Sequence, residues 1–485
     1  MNLILSYVQK HGVWISLVTT IAVVYLVGFL GLLGDWWFED DTVHAHYVLQ
    51  HSNPFAYFFD REAIKAFTMG RVFTPLLALS FWVDMLLFQK QSWFAYLHQV
   101  SVAVLVVGLI FLTLSQWVDN GLAAGGALLW MLLPSTICVF EFLATRHYLE
   151  GLAFSLFAVL SAHQANALKN LKRWIFLACL FCFLAALCKE IYVTSTFLLI
   201  AVMFVWNRHW SALLAVMVTG GIYAGFRILM IGLGPQGLGD LQATREYFPE
   251  FLQSVPFLFT GSNWGYIVLP FFFVLALLVS LTGRLSWRWF LAWALNLAII
   301  LMTLFPVSHQ LYASRMQLGT WYRVAFLLNS FLLFSCLWTW HLVFQDLKSK
   351  WVRSMSSIVF FLGCLLAFWP GGSATRDAWD GRKEAYFKDA TFYLENPDKL
   401  LYSRLPAPWF LVGVHQLYCP ERDPHFITWR MFYRGVLERL DSYPYVWEAS
   451  EGTYRINPEL HRLIFLNTLD GTLPLDRPRP QSGDP

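Results

Sequence analysis

Residues 13–33 read VWISLVTTIAVVYLVGFLGLL without a single charge, and residues 35–41, DWWFEDD, follow them at once. At about 1.5 Å of rise per residue, a helix of that length crosses the roughly 30 Å of a bilayer's hydrocarbon core. Lys10 and His11 precede the run, which is too long for the apolar core of a signal peptide and lacks a small-residue cleavage site. It reads as an uncleaved span that starts in the cytoplasm and ends at an acidic, tryptophan-rich edge.

The remaining sequence repeats this pattern. The chain is 57% hydrophobic and 13% charged, against about a quarter charged in an average soluble domain, which excludes a soluble enzyme. Further apolar runs lie at about 93–117, 121–140, 149–167, 174–188, 191–206, 211–231, 264–282, 288–305, 321–343 and 354–370. The expectation is an all-α polytopic membrane protein of about eleven spans. The stretch Val72–Phe88 carries Pro75, Ser80 and Asp84, and is read as an external amphipathic or re-entrant helix. That placement keeps Lys169, Lys172, Arg173, Arg208, Arg284, Arg288, Lys348, Lys350 and Arg353 cytoplasmic. It also gives an inside amino terminus, an outside carboxyl terminus and a first external loop at 34–92.

Composition shifts at Pro370-Gly371-Gly372. Of the 65 Asp, Glu, Lys and Arg residues, 30 lie from Gly371 onward. Residues 1–370 therefore read as the transmembrane domain, and 371–485 as a small extracytoplasmic domain with a disordered Pro-rich tail from Pro474. The net charge of +3 and the absence of a Lys/Arg block set nucleic acid aside. Six of the seven cysteines lie inside apolar runs, so no disulfide framework is expected. No internal repeat of the kind that marks many transporters is visible.

Four polar clusters interrupt this apolar chain, all on the outer side of the inferred topology. The first is Glu39-Asp40-Asp41. Carboxylates crowded at a membrane edge raise at least one pKa and offer a base, and continuation of a helix through His51 puts Asp40, His44, Tyr47 and His51 on one stripe. A solvated helix start is the ordinary alternative, and metal ligation by the histidines is a weaker one. The second is Glu141 with Arg146, His147 and Glu150, where an Arg146–Glu150 pair at i,i+4 competes with a cavity-facing role. The third is Lys189-Glu190, held between two spans with almost no loop. The fourth runs from His309 through Tyr312 to Arg315, with Arg323 beyond; cations there attract phosphate or anchor to lipid head groups. The glycine-rich Gly232–Gly239 loop lacks a Walker lysine and a preceding strand, so it is no phosphate-binding P-loop.

Taken in order, these residues resemble the GT-C superfamily of integral-membrane glycosyltransferases that use polyprenyl-phosphate-linked sugars, over roughly residues 13–370. Asp40-Asp41 is similar to the family's acidic motif in the first external loop, whose carboxylate is the catalytic base. Arg71-Val-Phe-Thr-Pro75 resembles its Arg-x-Pro-type lead into membrane-surface helices. Glu141 with Arg146 and His147 matches a second external polar motif, Lys189-Glu190 resembles a frequent Lys-Glu pair, and Arg315 sits where members place a cation for the donor phosphate. The WWDYG-type motif of oligosaccharyltransferases and MIR-type insertions are absent.

The resemblance implies transfer of a sugar from a polyprenyl-phosphate donor to an acceptor hydroxyl, with inversion. The base is Asp40 or Asp41, and Arg315, Lys189, Arg146 and His147 are the donor-phosphate candidates. Glu39, His44, Arg71, Glu141, Glu190, His309 and Tyr312 join them as substrate contacts. It further implies membrane lipids and a glycan, lipid or protein acceptor as partners, and a bacterial inner (plasma) membrane with the site facing the periplasm or exterior. Metal use is open, with Mg or Mn the candidate cation. The rival readings are a transporter or flippase, which would gather acids near the bilayer midplane on broken helices, and a membrane scaffold that presents the polar domain.

Overall fold

The computed structural model describes residues 2–51, 53–68, 72–167, 170–232, 241–283, 287–305, 308, 320–345, 349–397, 401–403, 409–421, 426–428, 446–448 and 453–455. Helices run in the order α1 Asn2–Val23, α2 Asp41–Leu49, α3 Ala56–Phe59, α4 Arg61–Thr68, α5 Pro75–Phe88, α6 Ser92–Leu114, α7 Asn120–Met131, α8 Pro134–Glu141 and α9 Arg146–Ala167. They continue as α10 Leu171–Cys188, α11 Ile191–Trp206, α12 Trp210–Ile231, α13 Leu241–Thr260, α14 Gly265–Leu281, α15 Trp287–Leu304, α16 Phe326–Phe344, α17 Lys350–Glu395 and α18 Trp409–Tyr418. Local chemistry sets several boundaries. Pro75 and Pro134 open α5 and α8, where a missing N–H costs nothing. Asp119 caps α7 by accepting from Leu122 N at 3.0 Å.

The chain is a multi-pass membrane protein. Among the described residues, six helices are long and apolar enough to cross a bilayer, or up to eight if two bent pairs each count as one span. The pairs are α7 with α8, bent by 61°, and α13 (from Arg245) with α14, bent by 97°. Every one of the eleven apolar runs lies on helix, but α5, α11 and the apolar part of α15 are short. At about 1.5 Å per residue the 14 residues of α5 cover only some 21 Å, less than a hydrocarbon core.

The chain divides into two compact units: Met1–Asp35 with Tyr47–Asp380, and Trp36–His46 with Gly381–Pro485. Helix α17 runs through Pro370-Gly371-Gly372 without a break, and the division between the units falls farther along it, after Asp380. Those glycines are packing points. A Cβ on Gly371 would overlap the Thr260 carbonyl oxygen and the Gly261 Cα, and one on Gly372 would lie 2.8 Å from Leu132 O. The turn after α13, where Gly261 has φ +69°, and the break between α7 and α8 thus meet α17 backbone to backbone. Composition reads such a pair as a linker because small residues serve both purposes.

Gly371→Ala is therefore expected to destabilise by at least the upper end of the about 1–3 kcal/mol typical of overpacking, since backbone and not a side chain must move. Gly363→Ala, on the same helix with nothing near the added Cβ, is expected to be neutral or to stabilise by up to about 1 kcal/mol. Thermal unfolding in detergent compares the two.

In the second unit, β1 (Leu401–Ser403) pairs parallel with β2 (Phe426–Thr428), Leu401 opposite Phe426. An antiparallel pair, β3 (Val446–Glu448) and β4 (Thr453–Arg455), follows. These short strands modify the all-α expectation for the polar part of the chain only.

Candidate active site

The acidic segment belongs to the second unit, where the surrounding residues fix it tightly. Trp37 Nε1 donates to Tyr418 Oη at 2.8 Å, Thr42 Oγ1 donates to Phe410 O at 3.1 Å, and the Phe38 ring packs 4.6 Å from that of Tyr386. Burial pushes the Tyr418 phenol up to about 12, against the opposing effect of the Trp37 N–H, so Tyr418 stays neutral. Gly413 is required beneath Thr42, because a Cβ there would overlap it.

Within this frame the acids differ. Glu39 is buried and accepts from Tyr386 Oη at 3.3 Å. Asp41 is fully buried, and its Oδ2 accepts from Phe38 N at 3.0 Å. Asp40 between them is half-exposed. Glu39 has φ +40°, a left-handed conformation that costs a non-glycine residue on the order of 1–3 kcal/mol and persists only where its surroundings impose it. The helix that follows ends at Leu49, so the stripe from Asp40 to His51 is incomplete; His44 is half-buried, and its N donates to Asp40 O at 2.9 Å. Among the described residues no three His, Cys, Asp or Glu groups gather to hold a metal.

The first unit holds three further clusters. Arg146, at the start of α9, is 0% exposed. Its Nε donates to Gln99 Oε1 at 3.1 Å, Nη1 to Ser80 Oγ at 3.0 Å and to Asp84 Oδ2, and Nη2 to Ala95 O at 2.7 Å. His98 Nδ1 lies 2.7 Å from Asp84 Oδ1. Asp84 from α5 supplies the hydrogen-bonded partner, while Glu150, the expected i,i+4 partner, interacts with Arg146 electrostatically and bonds Ser80. Arg146 is thus enclosed by protein acceptors, which removes it from the phosphate-binding set. Buried His147 lies beside Tyr148, ring centres 4.6 Å apart and planes tilted by 36°.

The second cluster is at the junction of α10 and α11. Lys189 Nζ lies 5.5 Å from the Tyr148 ring centre. Glu190 Oε1 accepts from Phe73 N at 3.1 Å and from Arg227 Nε at 2.9 Å, and Arg227 Nη1 donates to Gly232 O at 2.6 Å. The junction is held by Tyr192, whose hydroxyl donates to Tyr148 O at 2.5 Å and whose ring fills the space where a Gly151 side chain would stand.

The third cluster forms where α1 ends in a π-helical turn, Val24–Phe29, a feature often found at functional sites. Tyr25 and Phe29 stack at 5.3 Å, and the Arg376 guanidinium lies 4.2 Å over Phe29. Arg376 also meets Asp380 at 3.5 Å. Tyr25 interacts electrostatically with buried Glu141 and with Arg376. Arg323 lies 5.4 Å over Phe142, whose ring is 5.9 Å from Trp379. Two arginines from distant segments are thus each preorganised on an aromatic face. Sequence reading passed over Arg376, because it falls among the many charges after the last apolar run.

Arg71, His309, Tyr312 and Arg315 lie outside the described residues. No protein-family model matches the sequence, and no curated protein does. Two solved structures are similar. One is an oligosaccharyltransferase from Archaeoglobus fulgidus tethered to an acceptor peptide, 14% identical with a TM-score of 0.48, covering 86% of this chain and 60% of that one. The other is ArnT from Cupriavidus metallidurans bound to undecaprenyl phosphate, 12% identical with a TM-score of 0.46, covering 88% of this chain and 91% of that one. The chain thus spans about 60% of the length of the oligosaccharyltransferase.

Proposed function

We propose that the protein is a membrane glycosyltransferase that moves a sugar from a polyprenyl-phosphate donor to an acceptor hydroxyl on the extracytoplasmic face, with inversion. The observation that carries this reading is the acidic segment itself: Glu39 and Asp41 are buried and hydrogen-bonded, and Asp40 between them is half-exposed. Asp40 takes the acceptor proton as the hydroxyl attacks C1. The donor's phosphate is a good leaving group and needs no general acid. Charge accumulating on the departing phosphate calls for cations, and Arg323, Arg376, Lys189, His147 and Arg315 are the candidates. No step is routed through a metal.

Arg376→Gln is expected to weaken donor binding about 10–100-fold, the worth of a charge-assisted contact of about 1.5–3 kcal/mol. Arg376→Lys restores little, because the planar guanidinium stacks on Phe29 and an ammonium does not. Donor titration of the purified protein measures both.

A specific observation keeps the transporter or flippase as second reading: two bent helix pairs and an ion pair between apolar helices are features of transporters. Supplying purified protein with a polyprenyl-phosphate sugar and candidate acceptors decides. Acceptor-dependent loss of donor that Asp40→Asn abolishes supports the transferase. Saturable movement of substrate across proteoliposomes without turnover replaces it.

A further inference from the structure

We infer that the second unit carries a carbohydrate-binding platform formed by Trp36, Phe387 and Tyr418, which takes a neutral glycan as acceptor. The inference rests on the transferase reading for the word acceptor, but not for the binding itself.

Trp36 is half-buried and stacks on Tyr418, centres 5.9 Å apart and planes 26° from parallel, so one indole face is covered. Phe387 stands edge-on to Trp36 at 6.1 Å and is 51% exposed. Beneath them Phe410 is fully buried and edge-on to Trp36 at 6.1 Å. The platform is therefore packed from beneath, with the Phe387 ring left open.

Three features favour a sugar over a lipid surface. The exposed ring is bracketed by an open ion pair, Glu384 and Lys388 at 2.7 Å with side chains 64% and 70% exposed. Charges so accessible mark a ring facing water, since burying them in hydrocarbon is expensive. The aromatic stack and the half-exposed Asp40 carboxylate belong to the same unit, and a sugar presents both ring C–H faces and hydroxyls. Finally, Trp36 precedes Asp40 by four residues of a segment locked at Trp37, Phe38 and Thr42, so the platform and the carboxylate move as one piece.

The test uses the full chain in nanodiscs of zwitterionic lipid without donor, so that a failure of catalysis is read separately. Saturation-transfer NMR is recorded with four neutral probes: tetrasaccharides of glucose, mannose, galactose and N-acetylglucosamine. Saturable binding of at least one is expected, with Trp36→Ala and Phe387→Ala each weakening it about tenfold, in line with aromatic-pair energies, and with Phe387→Trp retaining it. The proposal is overturned if no probe binds, if binding is unchanged in both alanine variants, or if Phe387→Ala instead lowers affinity for lipid vesicles. Loss of donor turnover by Asp40→Asn with glycan binding intact leaves the platform standing.

Discussion

Asp40→Asn is expected to lower sugar transfer by about two to four orders of magnitude, the worth of a positioned general base, with the donor's KM little changed. The amide keeps the size and shape of the side chain while removing the basic oxygen. The neighbouring acids provide the control. Asp41→Asn loses the charge that accepts from Phe38 N and leaves a buried amide in its place, so its main effect is on stability, about 1–3 kcal/mol. Activity per folded molecule then persists. Glu39→Gln keeps an acceptor for Tyr386 and changes turnover least of the three. Rate measurements on variants normalised for folded protein separate them. If Asp41→Asn abolishes turnover while Asp40→Asn does not, the roles are exchanged. If neither has an effect, the base lies elsewhere.

The helical membrane architecture was legible because bilayer thickness imposes long uncharged runs, and each such run lies on helix. Span count was less legible. Hydropathy does not see the breaks at Leu132–Leu133 and Gly261–Trp264, where helices bend by 61° and 97°. Nor does it distinguish a glycine pair used as a linker from one used to bring backbones together, as at Gly371. In the acidic segment, residue type identified the carboxylates but not their hydrogen bonding, which involves Tyr386 and Phe38, and Tyr386 lies nearly 350 residues away in sequence. Arg146 was visible as a charge at membrane depth. Its partner was not, because Asp84 reads locally as a flaw in an apolar run rather than as the counter-ion of a residue 62 positions on.

That pairing sets the second large expected effect. Arg146→Met is expected to destabilise the protein by about 3–5 kcal/mol, the usual result of stranding one member of a buried ion pair. This is a large part of the roughly 5–15 kcal/mol that holds a typical domain together. The loss would extend beyond Asp84, since Gln99, Ser80 and the Ala95 carbonyl all accept from the same guanidinium. Arg146→Lys restores the charge but not the fork, and so falls between. The double variant Arg146→Met/Asp84→Leu removes both charges at once and recovers part of the stability, because an apolar pair of similar volume carries no charge-desolvation penalty although Gln99, Ser80 and the Ala95 carbonyl still lose their donor. Thermal unfolding of the wild type, Arg146→Met, Asp84→Leu and the double variant in detergent closes the cycle, and a coupling of at least about 1 kcal/mol identifies the direct interaction. The same double variant also separates this role from phosphate recognition: a residue enclosed by protein acceptors can be replaced without moving the donor's KM, whereas a phosphate ligand cannot. A folded double variant with a donor KM raised tenfold or more would return Arg146 to the binding site.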